Sequence, residues 1–295
     1  MKLLPPKLRT RIRDIVFGRT RIAVIDRAEF GVAQVRPIFI IGCFRSGTTL
    51  LRYLMDSHSQ LCCPPETKFL RHLDGLRQDP ESLRALATMG FDQDYLRTRL
   101  RGLSDDFFLA YMAAKGKSRW ADKTPEYVYH LEFIDWLYQG EVDYVLIHRN
   151  GLDVTHSMFN TRIIPLEGNK TLDTTFDYWF DNAAIMQDWQ QNHPENCLTI
   201  RYEDLCLRTK PILASIFDFL SLPHEDVTSV WHQKEHDMGF EDNKARRQEK
   251  IRLSHGNFSA WLPEDIERLK ERARDTHQQL GYDPQTLMPL TQGNP

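Results

Sequence analysis

Cysteine is scarce in this chain, long apolar runs are missing, and neither sign of charge dominates. The five cysteines (Cys43, Cys62, Cys63, Cys197 and Cys206) are too few and too irregularly spaced for a disulfide framework. None stands with histidines at zinc-binding spacing, so no metal centre is expected. The apolar runs are strand-length, well short of the roughly 20 residues that cross a bilayer. The N-terminal apolar stretch is broken by Pro5, Pro6 and charges, unlike a secretory leader. A reducing, cytoplasmic compartment is therefore expected. Lys and Arg total 38 against 41 Asp and Glu, a net charge of −3, so no overall field draws the chain to nucleic acid. Internal repeats and low-complexity tracts are absent as well.

What is present is an ordinary globular composition, 41% hydrophobic in 295 residues, enough for one large α/β domain. The first 21 residues carry Lys2, Lys7, Arg9, Arg11, Arg13, Arg19 and Arg21 against Asp14 alone. Residues 1–30 read as a basic arm, solvated or docked, or in peripheral contact with an anionic membrane or an acidic partner. Residues 31–295 read as a single domain. Within it, apolar strands at Ile38–Ile41, Tyr144–Ile147 and Cys197–Tyr202 alternate with helical patterns at Thr48–Ser57, Leu152–Phe159 and Pro211–Leu220. That alternation predicts a parallel β-sheet flanked by helices. Residues 69–118 are helical with repeated breaks and read as an inserted helical layer over a substrate cleft. An aromatic helix is expected over Thr174–Gln191, a long polar loop over 232–258, and a last helix over Pro263–Leu280.

One lysine is missing where its absence matters most. In Ile38-Phe-Ile-Ile-Gly42-Cys-Phe-Arg45-Ser46-Gly47-Thr48-Thr49 an apolar strand enters a loop with the glycine spacing of a nucleotide-triphosphate site. Thr48 occupies the lysine position, and the nearest cation is Arg45. Such a loop keeps its backbone N–H cradle and helix N-terminus for an anion without the side chain that reaches a γ-phosphate. A plain strand-to-helix turn with a capping Thr would read the same way. Farther along, the strand Tyr144–Ile147 runs into His148-Arg149, and Ser157 follows eight residues after the arginine on the next helix. A guanidinium and a hydroxyl so spaced can converge on one phosphate; a surface ion pair and a helix filler would also fit.

Together the two segments resemble the 5′-phosphosulfate and 3′-phosphate motifs of the sulfotransferase family, whose donor is 3′-phosphoadenosine-5′-phosphosulfate (PAPS). Arg201-Tyr202-Glu203-Asp204-Leu205 resembles the family's segment after the next strand. The likeness runs in order over about residues 37–284, and it departs from the family at Phe44, where proline is usual. The stretch from Leu50 through Pro64-Pro65-Glu66-Thr67-Lys68, with Trp120-Ala-Asp-Lys123-Thr-Pro, Phe258-Ser259-Ala-Trp261 and Leu280-Gly-Tyr-Asp-Pro284, is most similar to the branch containing protein-tyrosine sulfotransferases. The resemblance implies a P-loop-type α/β fold and a hydroxyl-bearing acceptor, with no metal. It implies donor contacts from Arg45, Ser46, Gly47, Thr48, Thr49, Arg149, Ser157 and Tyr202. Glu66 becomes the general base, Arg45 and Lys123 stabilise charge at the bridging oxygen, and Ser259 helps hold the sulfuryl group.

Each assignment has a plainer reading beside it. Glu66 could serve as a helix N-terminal carboxylate, Lys123 as a surface lysine, and Ser259 as an N-cap. His58, His148 and His156 are read as structural or nucleotide-adjacent. Arg246, Arg247, Lys250 and Arg252 are a basic run that either clamps the 3′-phosphate or stays solvated. The competing functions are an atypical P-loop kinase or NTPase, and a non-catalytic nucleotide-binding relative. Acceptor identity (peptidyl tyrosine, carbohydrate, lipid or secondary metabolite) is not encoded in composition. Oligomeric state is equally open, a dimer included.

Overall fold

The computed structural model describes residues 35–161, 169–237, 239 and 250–290, with the backbone of a short hairpin before them. That hairpin pairs β1 (Ile15–Phe17) with β2 (Thr20–Ile22) antiparallel. The rest of the expected basic arm lies outside the described residues, as do Arg246 and Arg247.

Five parallel strands carry the domain: β3 (Ile38–Ile41), β4 (Leu61–Cys62), β5 (Arg119–Lys123), β6 (Asp143–His148) and β7 (Cys197–Arg201). Their order is β4-β5-β3-β6-β7. Every pairing is parallel, with Ile38 opposite Ala121 on one side and Asp143 on the other. The central strand is therefore buried on both faces, which is why it reads as an unbroken apolar run. Alternation along it sends Phe39 and Ile41 to one layer, Ile38 and Ile40 to the other.

On the first face lie α2 (Leu70–Gln78), α3 (Pro80–Thr88), α4 (Gln93–Ala114) and α5 (Leu131–Tyr138). The first three form the expected helical insert. Asp79 caps α3 and Asp92 caps α4 through their side chains, which explains the breaks seen in the sequence. Phe108 of α4 stacks on Trp120 at 3.9 Å, and Trp120 meets Phe39 edge-on at 5.8 Å. Truncating Phe108 to Ala would cost about 3–5 kcal/mol, because this contact joins the insert to the sheet. On the second face lie α1 (Thr48–Asp56), α8 (Tyr202–Leu207) and α9 (Thr209–Phe219), packed on Ile40, Val145, Ile147 and Ile200. A third cluster joins α6 (Gly151–Phe159), α7 (Leu172–Asn192) and α10 (Pro263–Gln279).

The strands and helices that the sequence named are present, whereas β4, β5, α5, α8 and the β1–β2 hairpin were not expected, and residues 238 and 240–249 of the expected loop lie outside the described residues. Strand β5 reads Arg-Trp-Ala-Asp-Lys, yet all but its first residue are buried. Its charges are paired: Arg119 donates to Asp143 Oδ2 at 3.1 Å and to Leu220 O at 2.9 Å, and Lys123 donates to Glu66. Parallel pairing gathers the carboxyl ends of all five strands on one edge. The loop 42–47, Arg149 and Tyr202 follow directly on strands, Lys123 ends one, and Glu66 lies in the loop that leaves β4. In open parallel sheets this edge is where ligands bind.

Candidate active site

Loop 42–47 owes its shape to two left-handed residues. Arg45 stands at φ 71 and Gly47 at φ 89, and Ser46 N–H closes a turn on Cys43 O at 3.1 Å. Alternating right- and left-handed backbone turns successive N–H groups to one side, making an anion nest. Helix α1 begins immediately after it, with no acidic residue in its first turn and no side-chain cap. Its dipole and first-turn N–H groups are left facing the loop. Gly42 is packed so closely against Ile147 and Thr48 that a Cβ would collide with both. Phe44, the departure from the family pattern, is half-buried and packs 6.4 Å from Tyr178 in the α6–α7 cluster.

Arg45 and the second motif meet here. Its Nε donates to Ser157 Oγ at 2.9 Å, and Arg149 donates to Arg45 O at 2.9 Å. Arg149 also lies 4.5 Å above the Tyr202 ring, a cation–π arrangement. Tyr202 in turn fills the space where a side chain on Gly47 would go. Burial pushes the Tyr202 phenol well above its usual range, so it stays neutral. Two buried polar atoms of this cluster, Ser46 Oγ and Arg149 Nε, have no hydrogen-bond partner among the described residues. Buried groups of that kind call for a ligand or water.

Residues 250–258 are tied onto the same cluster. Arg149 donates to Ser254 O at 2.5 Å, and Ser254 N–H donates to Tyr202 OH at 3.2 Å. Buried Asp153 accepts from Gly256 N–H and Asn257 N–H, both at 3.0 Å. The Arg149-Asn150-Gly151 turn is itself anchored from behind, since Glu203 accepts from Asn150 and from Tyr282 OH. His277 Nε2 accepts from Gly151 N–H at 2.9 Å. Burial holds His277 and His148 near pKa 4, so both rings are neutral. His58 is also structural: its Nε2 lies 2.8 Å from Pro223 O.

Glu66 and Lys123 form the second half of the site. Lys123 Nζ, fully buried, donates to Glu66 Oε1 at 2.7 Å, and Lys68 Nζ lies 3.5 Å from Oε2. Glu66 therefore stands between two ammonium groups, one buried and one at the rim. Behind it Thr67 donates to Asp122 Oδ2 at 2.5 Å, and Thr124 donates to Asp122 Oδ1 at 3.1 Å. Burial pushes Asp122 up to about 7 against these hydroxyl bonds and the Lys123 charge.

With this geometry in view, the comparisons with known proteins decide the family. The sequence model of the sulfotransferase family matches residues 37–226. The chain belongs to the sulfotransferase family. Among curated relatives this sulfotransferase is 26% identical over 282 residues to protein-tyrosine sulfotransferase A of Caenorhabditis elegans, covering 89% of this chain and 72% of that one. It is 25% identical over 271 residues to protein-tyrosine sulfotransferase 1 of Danio rerio, with 85% and 74% covered. Its fold matches a sulfotransferase domain from the curacin biosynthetic pathway at TM-score 0.57 and 20% identity, over 83% of this chain and 97% of that one. A sulfotransferase domain of the Synechococcus olefin synthase matches at TM-score 0.55 and 21% identity, over 81% and 95%.

The structure gathers Arg45, Ser46, Gly47, Thr48, Thr49, Arg149, Ser157 and Tyr202 into one cluster, and Glu66 with Lys123 into another on the same sheet edge. Ser259 is exposed on a single 3-10 turn, Asn257–Ala260, against α6. Among the contacts of the described residues, none joins its side chain to Arg45, Glu66 or Lys123. Lys250 and Arg252 are exposed, and only the Arg252 carbonyl reaches the cluster, accepting from Tyr202 OH at 3.4 Å. Sequence reasoning missed Asp122, Thr67, Asp153 and Glu203. All four lay inside segments already singled out, but what sets Asp122 and Thr67 apart is a contact between residues 55 apart in sequence, which no local pattern signals. Among the described residues no His, Cys, Asp and Glu group could hold a metal ion, and no helix is long and apolar enough to cross a membrane.

Proposed function

We propose that this sulfotransferase moves the sulfuryl group of PAPS to a hydroxyl acceptor, with Glu66 as general base. The observation that carries the reading is the bond from Arg45 Nε to Ser157 Oγ, with Arg149 on the Arg45 carbonyl. It joins the loop suited to a phosphosulfate and the pair suited to a 3′-phosphate in one constellation. The unpartnered Ser46 Oγ and Arg149 Nε fit a doubly anionic nucleotide. When bound, PAPS supplies the sulfuryl group and a phosphate leaving group.

The protein's own part is positioning and charge. The loop N–H groups, Thr48 and Thr49 hold anionic oxygens, and Arg45 sets a fixed positive charge beside them. Arg149 and Ser157 hold the 3′-phosphate, and the Tyr202 ring lies beside the nucleotide. Glu66 accepts the proton that the acceptor hydroxyl loses as its oxygen reaches sulfur. Lys123 fixes the orientation of Glu66 through the 2.7 Å bond and adds positive charge opposite the attacking oxygen. Transfer of this kind runs through a loose, in-line transition state, in which alignment supplies much of the catalysis. Ser259 remains a candidate for holding the transferred group when residues 250–260 are seated against the nucleotide. The names of the relatives favour a peptidyl tyrosine acceptor, while the same base serves a sugar, lipid or metabolite hydroxyl. Five free thiols, four of them buried, favour a reducing compartment such as the cytoplasm.

Calorimetry with adenosine 3′,5′-bisphosphate tests the reading: we expect tight binding without Mg²⁺. Binding of ATP that requires Mg²⁺, with none of the bisphosphate, would point to a kinase or NTPase instead. The variant E66Q should keep bisphosphate affinity and lose turnover by about 10²–10⁴-fold, the usual range for a positioned base. Unchanged turnover in E66Q rules out the assigned base.

A further inference from the structure

We propose that Asp122 and Thr67 form a device that fixes the reactive carboxylate of Glu66, a role that rests on the sulfuryl-transfer reading above. The loop from β4 to α2 carries Glu66 at its tip, two residues before Lys68 at φ 57. A lysine in the left-handed region is strained, and such a backbone persists only where its surroundings over-determine it. Here they do so at the residue between. Thr67 is held by both its backbone and its side chain: its N–H donates to Thr124 Oγ1 at 3.2 Å, and its hydroxyl donates to Asp122 Oδ2 at 2.5 Å.

With Asp122 ionised, the direction of every proton in this network follows from the partners. Thr67 has one hydroxyl proton, given to Asp122, so the 3.0 Å contact with Tyr127 OH must be donated by Tyr127. That leaves the Tyr127 oxygen to accept Leu70 N–H at 3.1 Å, at the start of α2. Thr124 gives its proton to Asp122 Oδ1 and accepts Thr67 N–H. Asp122, Thr124 and Tyr127 are fully buried, so no water competes for these bonds. The network therefore clamps the loop on both sides of Glu66's neighbour and ties it to the strand that ends in Lys123. Asp122 and Lys123 point to opposite faces of β5, so one strand end holds the base's loop and the base itself. Neither Asp122 nor Thr67 is required to touch the substrate; they act through Glu66.

Two variants of one residue separate this from general stabilisation. T67V keeps the β-branched shape and removes the hydroxyl, while T67S restores it. We expect T67V to lower kcat with PAPS by about 10–100-fold, the scale set by misplacing a reactive group by about 1 Å. Its affinity for adenosine 3′,5′-bisphosphate should stay within about twofold of the unmodified protein, and T67S should recover most of the rate. Crystal structures of the two variants read the same point with no acceptor present: Glu66 leaves Lys123 Nζ in T67V and keeps it in T67S. D122N, whose amide can accept only one of the two hydroxyl bonds, should behave like T67V. A T67V protein that holds Glu66 on Lys123, or whose nucleotide affinity falls in step with kcat, overturns the positioning role. Failure of the unmodified protein to bind the bisphosphate overturns the sulfuryl-transfer reading instead, so the two failures are distinct.

Discussion

Gly47 shows how a single position joins backbone and side-chain requirements. Its φ of 89 is open to glycine but costs another residue roughly 1–2 kcal/mol. Its Cβ position is already taken by the Tyr202 ring, itself held by Ser254 N–H and the Arg149 guanidinium. Replacing Gly47 with Ala should therefore destabilise the protein by about 2 kcal/mol or more, and weaken adenosine 3′,5′-bisphosphate binding at least about tenfold. Thermal unfolding and calorimetry measure the two effects on one sample. An affinity unchanged in G47A would mean that the loop's left-handed turn is not needed to hold the anion. Phe44 belongs to the same scale. The sequence offered no reason for an aromatic residue there, because its partner Tyr178 lies on a helix more than a hundred residues away.

At the scale of elements, α6 does two tasks. Arg149 immediately precedes its N-cap, Asn150, and Ser157 lies in its last turn, while its buried Asp153 seats Gly256 and Asn257. Asp153→Ala leaves two backbone N–H groups without their acceptor, at a cost of about 1–3 kcal/mol each. Amide hydrogen exchange at Gly256 and Asn257 should then quicken by about 30-fold or more, while strands β3 and β6 keep their protection. Exchange that stays slow at those two amides would show that the segment is held by its other contacts. The apolar strands and amphipathic helices were legible in the sequence, since their periodicity survives without knowing their neighbours. Strand β5 was not. Its five residues include three charges, and their burial makes sense only once Asp143, Glu66 and Thr67 are brought against them. The same holds within the candidate site. Glu66 and Lys123 were legible from motif likeness, whereas Asp122 needed a three-dimensional neighbourhood to stand out. Ser259 was legible as a motif, and its turn packs on α6 beside the cluster.

For the molecule as a whole, buried neutral histidines set a sensitivity to acid. His148 and His277 titrate near 6.5 when unfolded and are held near 4 by burial in the fold. The stability this reflects is fully present above pH 6.5 and is lost as pH falls toward 4, because the unfolded chain then binds the extra protons. Each histidine accounts for up to about 3 kcal/mol over that window. Asp122, raised to about 7 by burial, acts in the opposite sense, since the folded state then holds a proton more tightly between pH 3.8 and 7. Among the described residues His148 has no hydrogen-bond partner on either nitrogen, so His148→Leu removes one titration without breaking a bond seen there. Denaturant melts at pH 7 and pH 4.5 should show H148L losing less stability on acidification than the parent; equal losses would refute the assignment. Strand order has a consequence in time as well. Strand β3, the most apolar of the five, pairs only with β5 and β6, so Ile38 waits for Ala121 and Asp143. At about 5–20 residues per second on a ribosome, Ile-Phe-Ile-Ile spends several seconds made but unpaired, which makes this segment the one most in need of a chaperone during synthesis.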